Sequence, residues 1–310
     1  MMPVRAACPS DIDPTASPAF VPPPARRFSS NANAWMASAY QPWHMVHDAV
    51  VREGARAEIV GKFDYDALLH KDLENERVDV FLWGTGIAAW RAVGTFVTDG
   101  DGRIRVPLGV LPVGRYVVRM VVQGDRSMVD GYVSVVQPGR EAVLFDVDGT
   151  LTLHDFEAYL DYAGIRSARP YLFAPEVVKA YVRKGYEVVL LTARPYWTTR
   201  DARQWLQTQG LAGIHYHATD VGTSPVPRDP ATFKAQYIGY LRNDVGLDIV
   251  RAYGNALTDV AAYRNAGLSP ANTYIVGPNA GAGRTQPITG DYTAHYYQVV
   301  QATRDARCRR

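Results

Sequence analysis

The sequence predicts two domains in series: an antiparallel β-sandwich of immunoglobulin-like type, then an α/β domain built on a Rossmann-like parallel sheet. Three observations carry this. The chain has 310 residues, and at about 150 residues per domain that length favours two. Between Arg56 and Gln137 short β-type runs alternate with turn signals every 8 to 12 residues or so, the pattern of a sandwich. After Pro138-Gly139 the order becomes strand, helix, strand, helix, which argues for a parallel sheet. The expected organisation is a proline-rich extended tail over 1–40, the sandwich over 41–138, the α/β domain over 139–300 and a basic tail over 301–310.

The tail holds Pro3, Pro9, Pro14, Pro18, Pro22, Pro23 and Pro24, each lacking a backbone donor and fixing φ, so no regular element is expected there. Asn31 to Val51 carries Trp35, Met36, Tyr40, Trp43 and Met45. Such side chains either pack on the following domain, the commoner outcome, or settle at a lipid interface. The sandwich runs are AEIVGKFDY, VDVFLWG, WRAVGTFVTD, RIRVPL, RYVVRMVVQ and YVSVV. In RIRVPL the alternation of Ile104, Val106 and Leu108 with Arg103, Arg105 and Pro107 turns one side to a core and the other to water. Asp99 and Asp101 in TDGDGR have the spacing of a calcium loop, but Asp-Gly supplies the positive φ of a hairpin turn and further calcium ligands are missing.

In the second domain AVLFD reads as a strand buried on both faces. PEVVKAYVRKG opens with Pro175 in a first helical turn, closes at Gly185, and sets Val177, Val178, Tyr181 and Val182 on one stripe. VVLLT is the next strand, followed by helices over about Thr198–Gln209 and Asp229–Val245, the second opened by an Asp-Pro cap. IVRAY is a strand, TDVAAYRNAG a helix closed by Gly267, and TYIVG the last clear strand.

Composition excludes several classes. Hydrophobic residues are 47% and charged residues 21%, which is ordinary for a globular chain. The net charge of +2 gives no reason to expect a nucleic-acid partner. No apolar run approaches the ~20 residues of a membrane-spanning helix. Cys8 and Cys308 are too few and too isolated for a disulfide scaffold or a CxxC site, and read as two free thiols or one bridge between the termini. The opening residues hold no apolar stretch of signal-peptide length. The expected location is soluble or peripheral to a membrane, with export left open.

Chemistry concentrates where strands end. Ligands bind outside the carboxyl ends of strands in an open parallel sheet, and there the first strand delivers Asp146-Val147-Asp148-Gly149-Thr150. Asp146 and Asp148 are two apart and leave the strand pointing the same way, and Gly149 lets the backbone turn close to a phosphate. Two such carboxylates can divide phosphoryl transfer: one attacks phosphorus, the other protonates the leaving oxygen and later activates water. The next strand ends in Leu191-Thr192-Ala193-Arg194, whose hydroxyl and backbone N–H groups can hold phosphate oxygens. Lys234, in the first turns of a later helix, can neutralise developing charge, and Asn255 with Asp259 in GNALTD add oxygen ligands for a hard cation such as Mg2+.

DVDGT, LTAR, FK and GNALTD, in this order, resemble the haloacid-dehalogenase superfamily of aspartate-nucleophile phosphatases. The resemblance implies Asp146 as nucleophile and Mg2+ ligand, Asp148 as general acid/base whose carbonyl also binds Mg2+, Thr192 and Lys234 as phosphate binders, and Asn255 with Asp259 completing the metal site. A true dehalogenase lacks the second Asp and the metal, so Asp148 argues against one. A longer resemblance runs from about Trp43 to Pro278. VDVFLWG, GTFVTDGDGRIRVPL, RYVVRMVVQGDRS and the strand into DVDGT are similar to the carboxy-terminal region of retinal-degeneration-B type, membrane-associated phosphatidylinositol-transfer proteins, a β-domain followed by a lipin-like phosphatase domain. It implies binding to phosphatidic acid. The catalytic motifs also resemble those of lipin-type Mg2+-dependent phosphatidate phosphatases. The animal transfer proteins typically have Ser at the position of Asp146, whereas this chain keeps the nucleophile; their lipid-transfer domain has no counterpart here.

Spacing bears on the substrate. The 41 residues between Thr150 and Thr192, and the interval from Arg194 to Lys234, leave no room for a cap domain. A capless pocket suits a phosphate carried on something bulky, such as a phospholipid at a surface. Trp35, Trp43 or sandwich loops would then touch lipid. His44 with His47, and His215 with His217, have no third partner in sequence and read as packing histidines. The leading expectation is a Mg2+-dependent phosphatase acting on phosphatidic acid or another phospholipid phosphomonoester. A non-catalytic phosphatidic-acid-binding module and a protein or polynucleotide phosphatase are the alternatives.

Overall fold

The structure is a computed structural model and describes residues 12–66, 70–153, 168–219 and 229–307. Cys8 and Cys308 lie outside the described residues. The chain divides in sequence at Val135/Val136 into two compact units.

The first unit is a sandwich of two antiparallel sheets. Strands β1 (Met45–His47), β3 (Arg56–Lys62) and β8 (Arg103–Val110) form one. The other has the order β2-β10-β9-β6-β7, from β2 (Ala49–Arg52), β6 (Arg77–Gly84), β7 (Ile87–Val97), β9 (Gly114–Val122) and β10 (Met128–Val136). A two-stranded pair, β4 (Asp64–Tyr65) with β5 (Lys71–Asp72), completes it. Alternation decides the faces: Val78, Val80 and Leu82 of β6 are buried while Asp79, Phe81 and Trp83 are partly exposed. Ile59, Val106, Val118 and Met120 join them in one core, each contributing about 1.5–3 kcal/mol by burial. The TDGDGR segment is a hairpin turn, with Asp99 Oδ1 accepting from the N–H groups of Asp101 and Arg103.

The region expected to be an extended tail differs in two ways. Residues Asn31–Ala39 form helix α1, because the segment between Pro24 and Pro42 is free of proline and Ser30 caps it by accepting from Asn33 N–H at 3.0 Å. The stretch before it lies on the five-stranded sheet: Phe20 meets Phe81 and Trp90 edge-on at 5.0 and 5.3 Å, and Trp90 Nε1–H donates to the Pro18 carbonyl at 2.9 Å. Trp43 also departs from the lipid-facing role considered for it. It is 4% exposed, with its ring 4.6 Å from that of His70, whereas Trp35 is 63% exposed.

The second unit is a six-stranded, wholly parallel sheet in the order β13-β12-β11-β14-β15-β16. Its strands are β11 (Glu141–Phe145), β12 (Glu187–Pro195), β13 (His215–Thr219), β14 (Asp248–Gly254), β15 (Thr273–Val276) and β16 (Gln286–Ile288). Counted within the domain, this is the 3-2-1-4-5-6 order of a Rossmann-like sheet, whose crevice opens where the order reverses, between β11 and β14. β11 is buried along its whole length, as a central parallel strand must be. Helices α2 (Ala174–Arg183), α3 (Thr199–Thr208), α4 (Pro230–Tyr240) and α5 (Leu257–Asn265) connect the strands, and a short α6 (Thr293–His295) follows β16. Asp229 caps α4 by accepting from Thr232 N–H, and a π-turn over Leu241–Val245 extends that helix to Gly246. Strand β16 lies beyond the last strand expected from sequence: three residues around Pro287 carry no strand signal, and proline is tolerated there because β16 is an edge.

Candidate active site

β11 ends at Phe145 and the chain turns at once. Asp146 N–H donates to the Tyr253 carbonyl of β14 at 2.9 Å, which fixes the acid at the switch point. Gly149 takes φ +66°, a conformation that lets the turn close and brings Gly149 N–H onto Thr152 Oγ1 at 3.0 Å. Thr150 Oγ1 therefore faces back and donates to Asp146 Oδ2 at 2.8 Å.

Lys234 of α4 closes the other side. Its Nζ donates to Asp146 Oδ1 and to Asp259 Oδ1, both at 2.6 Å, and all three side chains are buried. Asp259 of α5 spends its second oxygen on the N–H groups of Asn255 and Ala256, each at 3.0 Å, so it ties the first turn of its own helix to the lysine. A Cβ at Gly254 would come within 2.7 Å of the Asp259 Cβ; only glycine lets β14 run this close to the acid. Burial, reinforced by the negative charge of Asp259 and only partly offset by Lys234, pushes the Asp146 carboxyl above the usual carboxylate range. Burial opposes charge on Lys234, but the two carboxylates outweigh it and hold the ammonium above the ordinary lysine value.

Asp148 sits in a second cluster. Thr192 Oγ1 donates to Asp148 Oδ2 at 3.0 Å, and the Arg194 guanidinium forms an ion pair with Asp148 Oδ1. The end of β12 is bulged: Leu191 pairs with His217 and Pro195 with Thr219, so four steps on β12 oppose two on β13. The bulge carries Thr192, Ala193 and Arg194. Arg194 N–H donates to Thr192 Oγ1 and the Arg194 carbonyl accepts from Thr219 Oγ1, at 3.1 and 3.0 Å.

The structure thus gathers Asp146, Thr150, Lys234, Asn255 and Asp259 into one set, Asn255 Oδ1 lying 3.2 Å from Thr150 Oγ1 as the longer alternative acceptor for its single proton. It gathers Asp148, Thr192 and Arg194 into another, with Gly149 in the turn directly after Asp148. Ala193 is buried within the bulge. Three supporting residues escaped the sequence reading: Tyr292 OH donates to the Thr150 carbonyl at 3.0 Å, Asn279 Nδ2 to the Asn255 carbonyl at 2.9 Å and Tyr263 OH to the Tyr253 carbonyl at 2.6 Å. Asn279 had a signal, since it lies two residues past the end of a predicted strand. The tyrosines had none, because buried tyrosines are common in any core.

Among the described residues no group of three or more His, Cys, Asp or Glu gathers as a metal cluster. Asp146 Oδ2, Thr150 Oγ1 and Asn255 Oδ1 nevertheless form an all-oxygen row, the donor chemistry of a hard cation that needs only one or two carboxylates. The histidines pack: His217 stacks on Tyr237 at 3.4 Å, His215 Nε2 shares a hydrogen bond with Tyr237 OH at 2.7 Å, and His44 Nε2 shares one with Ser127 Oγ at 2.8 Å.

A β-sandwich preceding a wholly parallel six-stranded sheet with paired acids at its central strand end defines the class: a Rossmann-like α/β domain behind an antiparallel sandwich. Comparison with known proteins narrows it. Residues 42–135 match the family described as PITM 1-3, beta-sandwich domain, and residues 143–277 match PITM 1-3, LNS2 domain. The chain is homologous over these two domains to proteins of the retinal-degeneration-B type. Human membrane-associated phosphatidylinositol transfer protein 1 is 33% identical over 264 residues, 83% of this chain and 20% of that protein. The Drosophila melanogaster protein retinal degeneration B is 32% identical over 239 residues, 76% of this chain and 18% of that protein. The chain thus spans about a fifth of the length of these relatives. Among solved structures, apo phosphoserine phosphatase is 14% identical with a TM-score of 0.31, covering 44% of this chain and 86% of that one. No helix among the described residues is long and apolar enough to cross a membrane.

Proposed function

We propose that this chain is a phosphomonoesterase that works through an aspartyl-phosphate on Asp146, with a phospholipid phosphomonoester, phosphatidic acid first, as its substrate. The observation that carries the reading is the pairing of a buried Asp146, held by Lys234 and Thr150, with an Asp148 two residues on that has its own donors. In the first half-reaction an Asp146 oxygen bonds to phosphorus while the ester P–O bond breaks, and the leaving oxygen takes a proton from Asp148. In the second, water attacks phosphorus, its proton passes to Asp148, and the electron pair of the Asp146–phosphorus bond returns to the carboxylate. Lys234 holds positive charge against the anions throughout. Mg2+ would be held by Asp146, the Asp148 carbonyl and Asn255 and would neutralise phosphate charge. Asp259, expected from the motif to complete the metal site, has both oxygens taken by Lys234 and its own helix N-terminus and would support the site from behind. Gly149, Thr150, Thr192, Ala193 and Arg194 line the phosphate's approach.

Two things support a lipid substrate: the match to domains of proteins named as membrane-associated phosphatidylinositol transfer proteins, and the short intervals where a cap would stand. The test is phosphate release from phosphatidic acid in mixed micelles, beside a soluble aryl phosphate, with Mg2+ or EDTA, for the wild type and Asp146→Asn. Mg2+-dependent release from the lipid, lost in the variant, is the expected result. Release from the aryl phosphate alone would remove the lipid; release from neither, with liposome binding intact, would make this a binding module.

A further inference from the structure

Arg194 takes no proton or bond in the two half-reactions above, yet it pairs with Asp148 and the fold spends an irregularity on it. The bulge between Leu191 and Pro195 turns its side chain onto Asp148, and its backbone is pinned on both sides, to Thr192 Oγ1 and Thr219 Oγ1. The side chain is 9% exposed, and burial works against its charge, opposed by Tyr216 and the Asp146 carboxylate. Thr192 Oγ1 donates to Oδ2 and the Arg194 guanidinium forms an ion pair at Oδ1, so each oxygen of Asp148 has a neighbour held by the β12 bulge.

We propose that Arg194 is a positioning residue for Asp148, locking the rotation of its carboxyl so that Oδ2 faces the leaving oxygen of the substrate. This rests on the phosphatase reading. A guanidinium donates to a carboxylate oxygen and also to the carbonyl oxygen of a neutral carboxyl, so the contact on Oδ1 persists whether or not Oδ2 carries the proton. As the P–O bond breaks, its electron pair goes to the leaving oxygen and the Oδ2 proton follows. Asp148 is then the carboxylate that takes a proton from water. An alkoxide is a poor leaving group and needs that proton in flight; a nitrophenolate departs without it. Loss of aim at Asp148 therefore costs more on an alkyl phosphate than on an aryl phosphate, whereas loss of a phosphate-binding charge costs the same on both.

The experiment measures kcat and KM of the full chain on short-chain phosphatidic acid and on p-nitrophenyl phosphate, for wild type, Arg194→Ala, Arg194→Lys and Asp148→Asn. The expected result is that Arg194→Ala loses at least tenfold more kcat on the lipid than on the aryl ester, in the same sense as Asp148→Asn, with part of the difference recovered in Arg194→Lys. A wild type active on both with an equal loss on both in Arg194→Ala overturns the positioning role and leaves the phosphatase standing. If Arg194→Ala fails to fold, an unchanged ratio of the two activities in Arg194→Lys overturns it equally. A wild type that releases phosphate from neither overturns the phosphatase reading and this role with it.

Discussion

Replacing Lys234 by Met removes an ammonium that touches two buried carboxylates and leaves a side chain of similar length. The two contacts at 2.6 Å are then lost and Asp146 and Asp259 face each other without a countercharge. Removing one partner of a buried ion pair costs about 3–5 kcal/mol, because a charge stays behind unsolvated. At about 2–4 °C per kcal/mol for a domain of this size, the second unit should melt roughly 6–20 °C lower at pH 7. The sign of the pH dependence follows from Asp146. Its carboxyl is held above its unfolded value, so the folded state binds the proton more tightly and gains stability relative to the unfolded chain as pH falls. Without the ammonium that gain is larger, and the deficit of Lys234→Met shrinks between pH 7 and pH 5. Differential scanning calorimetry at the two pH values reads both effects. An unchanged melting temperature at pH 7, or a deficit that grows on acidification, would refute the placement of Lys234 as the countercharge of this pair.

Three further outcomes are expected. Gly254→Ala sets a methyl within 2.7 Å of the Asp259 Cβ and should cost about 1–3 kcal/mol in urea unfolding while disturbing the Asp259–Lys234 contact, so activity should fall with stability. His295, its pKa lowered to about 4 by burial and by Arg251, donates to or accepts from Tyr253 OH at 2.9 Å; stability should decline as pH falls from about 6.5 to about 4, by up to about 3 kcal/mol, and His295→Phe should lose that share of the decline. Trp43→Ala should destabilise the sandwich by about 3–5 kcal/mol, and Trp35→Ala by less than about 0.5, as two thermal melts would tell; if lipid contact is made by Trp35, only the second variant should lose liposome binding with its fold intact.

The fold class was legible because its signals are local. The period-2 alternation of VDVFLWG and the apolar run ending in Asp146 each name an element and a face without help from the rest of the chain. Helix α1 was hidden by proline counting: seven prolines before residue 25 coloured a segment whose last third holds none. Strand β16 was hidden because three residues around Pro287 pair by proximity to β15, not by propensity. In the site, the order of motifs marked every acid and Lys234, but which donor meets which oxygen is set by tertiary contacts. LTAR reads as a phosphate-binding turn; only the pairing of β12 with β13 reveals that Thr192 and Arg194 both reach Asp148. The closing of Asp259 onto its own helix N-terminus was likewise invisible in a four-residue spacing.

The bulge in β12 has a consequence for what kinds of sequence change this site can absorb. It inserts two extra residues, an even number, so Pro195 resumes the strand on the parity it would have had without them, and Thr192 and Arg194, two apart, share a side. Substituting Ala193 alters size alone. Deleting it makes Thr192 and Arg194 neighbours, sends them to opposite sides and reverses the facing of every residue from there to the strand end. Related chains should therefore vary in which residues occupy this stretch, yet differ in length there by pairs or not at all.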